Sequence, residues 1–140
     1  MNAPDPVALA RLHAACFTTP RPWSAEEIAQ LAGDDASFLL HRPEGFLLGR
    51  QILDEAEILT LAVDPAARRQ GTGRALVAAF LSEARRRGAA TALLEVAADN
   101  GPAIALYEAS GFRRSGRRPG YYRTPEGLRK DAEIMSIALG

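Results

Sequence analysis

The run Arg68-Arg69-Gln70-Gly71-Thr72-Gly73 sets two glycines beside two arginines, and further along one carboxylate, Glu95, stands in an otherwise apolar stretch. The first group suits anion binding. Glycines let the main chain approach a phosphate with no Cβ in the way. A strand–turn–helix junction aims several backbone N–H groups at one point, and arginines add charge-assisted hydrogen bonds. The second group suits proton transfer. Leu93-Leu94-Glu95-Val96 reads as a buried strand, where a carboxylate is costly unless solvated or paired. Partial loss of water there would make it a better base. The plainer reading is a glutamate at the strand's exposed alternate position. Tyr107 offers a weak acid, with a reference pKa of about 10, or else a core tyrosine with a satisfied hydroxyl.

The elements that must position these groups follow from periodicity. Ile58-Leu59-Thr60-Leu61-Ala62-Val63, closed by Asp64-Pro65, predicts the strand before the glycine loop. Residues 74–88 predict the helix after it, with Leu76, Val77, Phe80, Leu81 and Ala84 on one face. Two familiar loops are excluded: Leu76 stands where the dinucleotide fingerprint needs a small residue, and no lysine follows Gly73 as a nucleoside-triphosphate loop requires. Residues 5–17 predict a first helix, broken by Thr18-Thr19-Pro20-Arg21-Pro22. Ser24 and Glu27 predict a capping box opening a second helix that ends near Gly33. Residues 37–41 and 46–53 read as antiparallel strands joined by Arg42-Pro43-Glu44-Gly45, 55–63 as a third strand and 91–97 as a fourth. Residues 102–110 read as a short helix with Gly111 at its end. A last antiparallel pair is expected at 112–115 and 132–139, with a polar loop over 116–131. This is an α+β layout with a mixed central sheet, in a single domain over 1–140.

Composition narrows the partners. The chain has 140 residues and net charge zero, unevenly spread. Residues 1–57 hold nine acidic and four basic side chains, whereas 58–140 hold eight acidic and thirteen basic. Positive charge therefore gathers in the half with the glycine loop, as a phosphorylated ligand would require. Arg85-Arg86-Arg87 is more simply the solvated end of a helix, favoured by the macrodipole, so direct nucleic-acid binding is not expected. Cys16 is the single cysteine, which excludes an internal disulfide and suits a reducing cytosol. His13 and His41 complete no metal-ligand spacing, and no metal is expected. No apolar run approaches the roughly 20 residues of a membrane span, and the N-terminus shows neither a basic start nor an apolar signal core. A cytoplasmic location is expected.

The pattern R-x-x-G-x-G after L-x-V-x-P resembles the pyrophosphate loop of the GCN5-related N-acetyltransferase (GNAT) superfamily, usually [QR]-x-x-G-x-[GA]. A second block follows in the right order: Asn100, then Ala103, then Leu106-Tyr107, then Gly111-Phe112, similar to the superfamily's N-x-x-A-x-x-L-Y-x-x-x-G-F. Pro22-Trp23-Ser24, Ala62-Val63-Asp64-Pro65, Leu94-Glu95-Val96 and Arg117-Arg118-Pro119-Gly120-Tyr121-Tyr122 extend the likeness to the ribosomal-protein alanine N-acetyltransferase family, the RimI type, over nearly the whole chain.

The resemblance implies a GNAT fold, a mixed sheet flanked by helices in which two parallel strands, here those ending at Val63 and near Ala97, splay apart. The splay would free main-chain groups of Leu61, Ala62 and Val63 to pair with the amide-rich arm of acetyl-CoA. The diphosphate would sit on Arg68, Arg69, Gln70, Gly71, Thr72, Gly73 and Arg74, with Asn100 on the arm or capping its helix, or both. Glu95 would be the general base, Tyr107 the general acid, and a main-chain N–H near Val63 an oxyanion donor. Trp23, Tyr121 and Tyr122 would border the peptide groove. The expected acceptor is the N-terminal alanine of a ribosomal protein, by direct amine attack. An acetyltransferase for a small amine or a lysine, or a non-catalytic acyl-CoA module, remains open. The chain departs from the family at Arg68 (often Gln), Ala67 (often aromatic), Gly120 (often Asn) and Arg123 (often Pro); the last two put peptide specificity in doubt.

Overall fold

Helices α1 (Pro6–Cys16) and α2 (Ala25–Ala32) precede three strands, β1 (Ser37–Arg42), β2 (Gly45–Ile52) and β3 (Glu55–Val63). After a single 3-10 turn come α3 (Thr72–Arg86), β4 (Thr91–Ala97), α4 (Gly101–Ala109), β5 (Arg113–Arg123) and β6 (Arg129–Ala138). The computed structural model describes residues 5–16, 22–67 and 70–140. Phe17 and the predicted helix break at 18–21 lie outside those residues, as do Arg68 and Arg69. The strands form one six-stranded sheet in the order β1-β2-β3-β4-β6-β5, antiparallel except for β3 beside β4.

Side chains alternate across the sheet. Leu47 and Ile58 join Leu94, Val96 and the apolar stripe of α3 in the main core, while Phe46 and Ala62 face Leu9 of α1 and Ile28 of α2. The two helical layers thus cover opposite faces. Leu76, Val77, Phe80, Leu81 and Ala84 of α3 are all buried, as their spacing predicts. Each large one contributes about 1.5–3 kcal/mol by leaving water. The capping box also forms: Glu27 N–H donates to Ser24 Oγ at 3.1 Å, and Ser24 N–H donates to Glu27 Oε1 at 3.1 Å.

The expected polar loop over 116–131 is wrong for most of its length. β5 runs to Arg123 and β6 begins at Arg129, so only residues 124–128 turn. β5 is one of the sheet's two edge strands and is exposed over most of its length, so it carries no apolar alternation. Register shifts between Arg114 and Gly116 and between Arg118 and Tyr122 break its pattern further. Pro119 lies in the second of these irregularities, a place where an edge strand tolerates proline.

Beneath the α1–α2 layer lies a buried histidine. His13 Nδ1 accepts the Trp23 main-chain N–H at 3.1 Å, so Nε2 carries the proton and donates to Thr60 Oγ1 at 2.9 Å. The imidazole stacks on the Trp23 ring with centroids 5.2 Å apart. Burial lowers the His13 pKa from 6.5 to about 4, opposed in part by the charge of Glu27. The unfolded chain therefore takes up a proton near pH 6.5 that the folded protein refuses until about pH 4. Stability from this group is full above pH 6.5 and is lost as pH falls from 6.5 toward 4. Urea midpoints between pH 7 and 4.5 are expected to fall for the wild type and to fall less steeply for His13→Asn; equal slopes would remove this role.

Candidate active site

The site is made where β3 and β4 separate. They pair only from Glu55–Thr91 to Ile58–Leu94. A bulge causes the parting: opposite Leu48 lies Thr60 but opposite Gly49 lies Ile58, which leaves Leu59 as an extra residue in β3. Bulged strands bend and twist. Gly49 is needed there, since a Cβ would stand 2.9 Å from Phe80 and 3.0 Å from Phe38. Beyond Ile58 the strands diverge, β3 held by β2 and β4 held by β6 along its whole length.

Register tells which β3 groups face the gap. Asp64 N–H donates to Glu44 O at 2.8 Å, so Phe46–Ala62 and Leu48–Thr60 are the pairs that exchange bonds with β2. Leu61 and Val63 then turn their main-chain groups toward the gap. Ala62, expected from the resemblance to be free as well, is committed to β2. A strand offers alternate residues to each edge, so three consecutive ones cannot all face the same way. The Val63 carbonyl accepts the Cys16 thiol at 3.1 Å, which places Cys16 as a half-buried packing residue against the gap's wall.

The glycine loop meets the end of this gap. Gly71 caps α3 with φ of +82°, and having no side chain it makes no side-chain cap bond to the first N–H groups of the helix. Among the described residues, a Cβ on Gly71 would meet nothing within 4 Å. Gly73 by contrast lies close beneath α4, where a Cβ would come 3.2 Å from Leu106. Gln70 is exposed. The Thr72 hydroxyl donates to Glu44 Oε1 at 2.8 Å, so only its N–H is available to an anion. Arg74 leans toward the end of α4, its Nη2 3.5 Å from Ala109 O. Asn100 Oδ1 accepts the Ala103 N–H at 3.2 Å, so the capping alternative for this residue is the one formed.

Glu95 is the first β4 residue past the last β3–β4 pair. Leu94 and Val96 enter the main core, so Glu95 points to the opposite face, with its side chain 17% exposed. It is therefore neither fully buried nor a solvent-facing residue. Arg118 Nη2 lies 3.4 Å from its Oε1, while its Oε2 is buried with no hydrogen-bond partner. Tyr107 is buried in α4, its ring edge-on to Phe112 at 5.9 Å. Burial, and then the nearby Tyr122, push its hydroxyl above the ordinary tyrosine value. Tyr122 is itself pushed up to about 12 by burial, then by the charge of Glu95 and by Tyr121. Tyr122 thus lies within electrostatic reach of both Glu95 and Tyr107, and β5 completes a cluster of three groups from three elements.

Tyr121 is half-exposed beside it, ring centroids 5.0 Å apart, and Trp23 stands part-buried on the α1–α2 layer. Gly120 adopts φ of +60°, the left-handed region that asparagine tolerates best after glycine. The departure from asparagine at this position therefore keeps the backbone conformation. Sequence reasoning met Arg118 only within a family-like run and assigned it no role, since it is one arginine among many. Among the described residues no group of three or more His, Cys, Asp or Glu side chains is placed to hold a metal, and no helix is long and apolar enough to cross a membrane.

Comparison with known proteins gives one consistent result. The sequence model of the acetyltransferase (GNAT) family matches residues 7–112. The ribosomal protein bS18-alanine N-acetyltransferase of Escherichia coli strain K12 is 42% identical over 122 residues, spanning 84% of this chain and 82% of that protein. The N-alpha-acetyltransferase RimI of Mycobacterium tuberculosis is 36% identical over 128 residues, spanning 85% of this chain and 79% of its own. The crystal structure of the ribosomal-protein-S18-alanine N-acetyltransferase from Escherichia coli aligns with a TM-score of 0.86 at 34% identity, covering 100% of this chain and 91% of that one.

Proposed function

Because this chain belongs to the GNAT acetyltransferase family and is of the RimI type, we propose that it acetylates the N-terminal alanine of a ribosomal protein, using acetyl-CoA as co-substrate, as a single domain working in the cytoplasm. One observation carries the proposal. The first residue past the last β3–β4 pair is a carboxylate with one buried, unpartnered oxygen, at the mouth of a gap lined by the main chain of Leu61 and Val63.

Acetyl-CoA supplies an activated acetyl thioester. Its diphosphate is assigned to the glycine loop and the first N–H groups of α3, a reading supported by the exposed, left-handed Gly71 at the helix start. Arg68 and Arg69, outside the described residues, belong by sequence to the same loop. Val63 N–H is the donor proposed for the charge that develops on the acetyl oxygen. Glu95 takes the proton lost by the attacking amine, directly or through water. As the carbon–nitrogen bond forms and the carbon–sulfur bond breaks, Tyr107 donates to the departing sulfur. Trp23, Tyr121 and Tyr122 flank the acceptor.

An α-amine suits one glutamate. With a pKa near 8, roughly a tenth of it is neutral at pH 7, whereas a lysine near 10.4 costs about 4–5 kcal/mol to deprotonate. The relatives named as ribosomal-protein alanine N-acetyltransferases support the same acceptor. The test is mass spectrometry of an alanine-starting basic peptide against an N-terminally blocked lysine peptide, each incubated with enzyme and acetyl-CoA. Acetylation of the α-amine of the first, and little of the second, is expected; preference for the lysine peptide would overturn the acceptor, and modification of neither would overturn the reading as a whole.

A further inference from the structure

We propose that Arg118 is a positioning residue for the base: its guanidinium pairs with one oxygen of Glu95 and so sets how the carboxylate is turned at the edge of the gap. The inference deepens the function proposed above and rests on that reading.

Four observations converge. Arg118 Nη2 stands 3.4 Å from Glu95 Oε1, across from β5 to β4. Its guanidinium carbon lies 5.2 Å from the Tyr121 ring centroid, so the same group is held on an aromatic face. Glu95 Oε2 is buried without a hydrogen-bond partner, and such an atom calls for an explanation. The adjacent Arg117 is spent elsewhere, on Glu133 and Asp131 of β6. Arg117 lies opposite Glu133 and Arg118 opposite Ala132, so the two arginines project to opposite faces and only Arg118 shares the face of Glu95.

The irregularity after Arg118 holds this arrangement. Gly120 N–H donates to Asp131 Oδ1 at 2.8 Å, and Arg129 Nη1 donates to Gly120 O at 3.1 Å, which pins the backbone between Arg118 and Tyr121. Arg118 is 54% exposed, and an exposed ion pair contributes little to stability. What it supplies is orientation. A planar guanidinium can rest on Tyr121 and still reach Oε1, which a lysine ammonium does less well. Pairing with Oε1 favours one rotation of the carboxylate, the one that keeps Oε2 buried. A misplaced base is slow even when its protonation state is right.

Steady-state kinetics of Arg118→Met and Arg118→Lys, each made in the wild type and in Glu95→Gln, test this. Arg118→Met keeps bulk on Tyr121 and removes the charge. Acetyl-CoA affinity is expected to stay unchanged in all four, which also confirms folding. In Arg118→Met, kcat is expected to fall about 10- to 100-fold with acceptor KM nearly constant. Arg118→Lys is expected to recover part of that loss. In the Glu95→Gln background, Arg118→Met should add nothing, because the arginine acts through the glutamate. A wild-type kcat in Arg118→Met, or the same fold loss in both backgrounds, would overturn the role. The ratios are read on whichever peptide the wild type acetylates, so a wrong acceptor counts against the proposed function and leaves the Arg118 result to stand or fall alone.

Discussion

Replacing Glu95 by glutamine is expected to lower kcat by about 10²- to 10⁴-fold, the usual loss when a positioned general base is removed. That is about 3–5 kcal/mol of barrier. The change is nearly isosteric, so the site's shape should survive. Acetyl-CoA affinity should hardly move, because Glu95 lies on β4 while the proposed cofactor groups come from β3, the glycine loop and Asn100. The defect should also shrink as pH rises. An α-amine near pKa 8 loses its own proton in mildly alkaline buffer and then needs the base less. A uniform loss at every pH would point to a packing role, and unchanged turnover would remove Glu95 from the mechanism.

Tyr107→Phe is expected to lower kcat by about 10²-fold or more, again with acetyl-CoA affinity retained. The phenyl ring keeps the edge-on contact with Phe112 and deletes only the donor. The raised pKa of this hydroxyl has two consequences. Tyr107 stays protonated through the whole working range, so it is always available as a donor. Complete proton transfer to a thiolate of pKa about 8.5 is also more uphill than for an ordinary tyrosine, so hydrogen bonding to the departing sulfur carries much of the effect. Any loss of wild-type activity on the basic side below pH 10.0, the ordinary tyrosine value, must then belong to another group. A basic limb that disappears in Tyr107→Phe would contradict this assignment, as would a variant with full turnover.

Two of the buried strands were legible from sequence to the residue, and β1 and β2 to within one residue at each end. β3 over 55–63 and β4 over 91–97 end where their apolar runs end, and the Ser24–Glu27 box marks α2 by side-chain chemistry alone. β5 was legible only at its start, since an exposed edge strand owes little to hydrophobic alternation. The splay could be expected only by resemblance. Its cause, one extra residue at Leu59, is a property of pairing between strands, and single-strand periodicity does not contain it. The same holds for Ala62, whose commitment to β2 depends on register. Glu95 declared itself because a carboxylate in an apolar strand is expensive. Arg118 did not, because its importance comes from a bulged edge strand that brings it across to β4, and one arginine in a run of them has no signature of its own.

The most direct test of the site as a whole is an amide ¹⁵N–¹H titration with acetyl-CoA. The expected result is a set of large shifts at Leu61, Val63, Gly71, Thr72 and Gly73, with Ala62 moving less because its main chain belongs to β2. Absence of shifts, or shifts centred instead on the groove that Leu9, Leu12, His41 and Pro43 form between α1 and the β1–β2 turn, would contradict it.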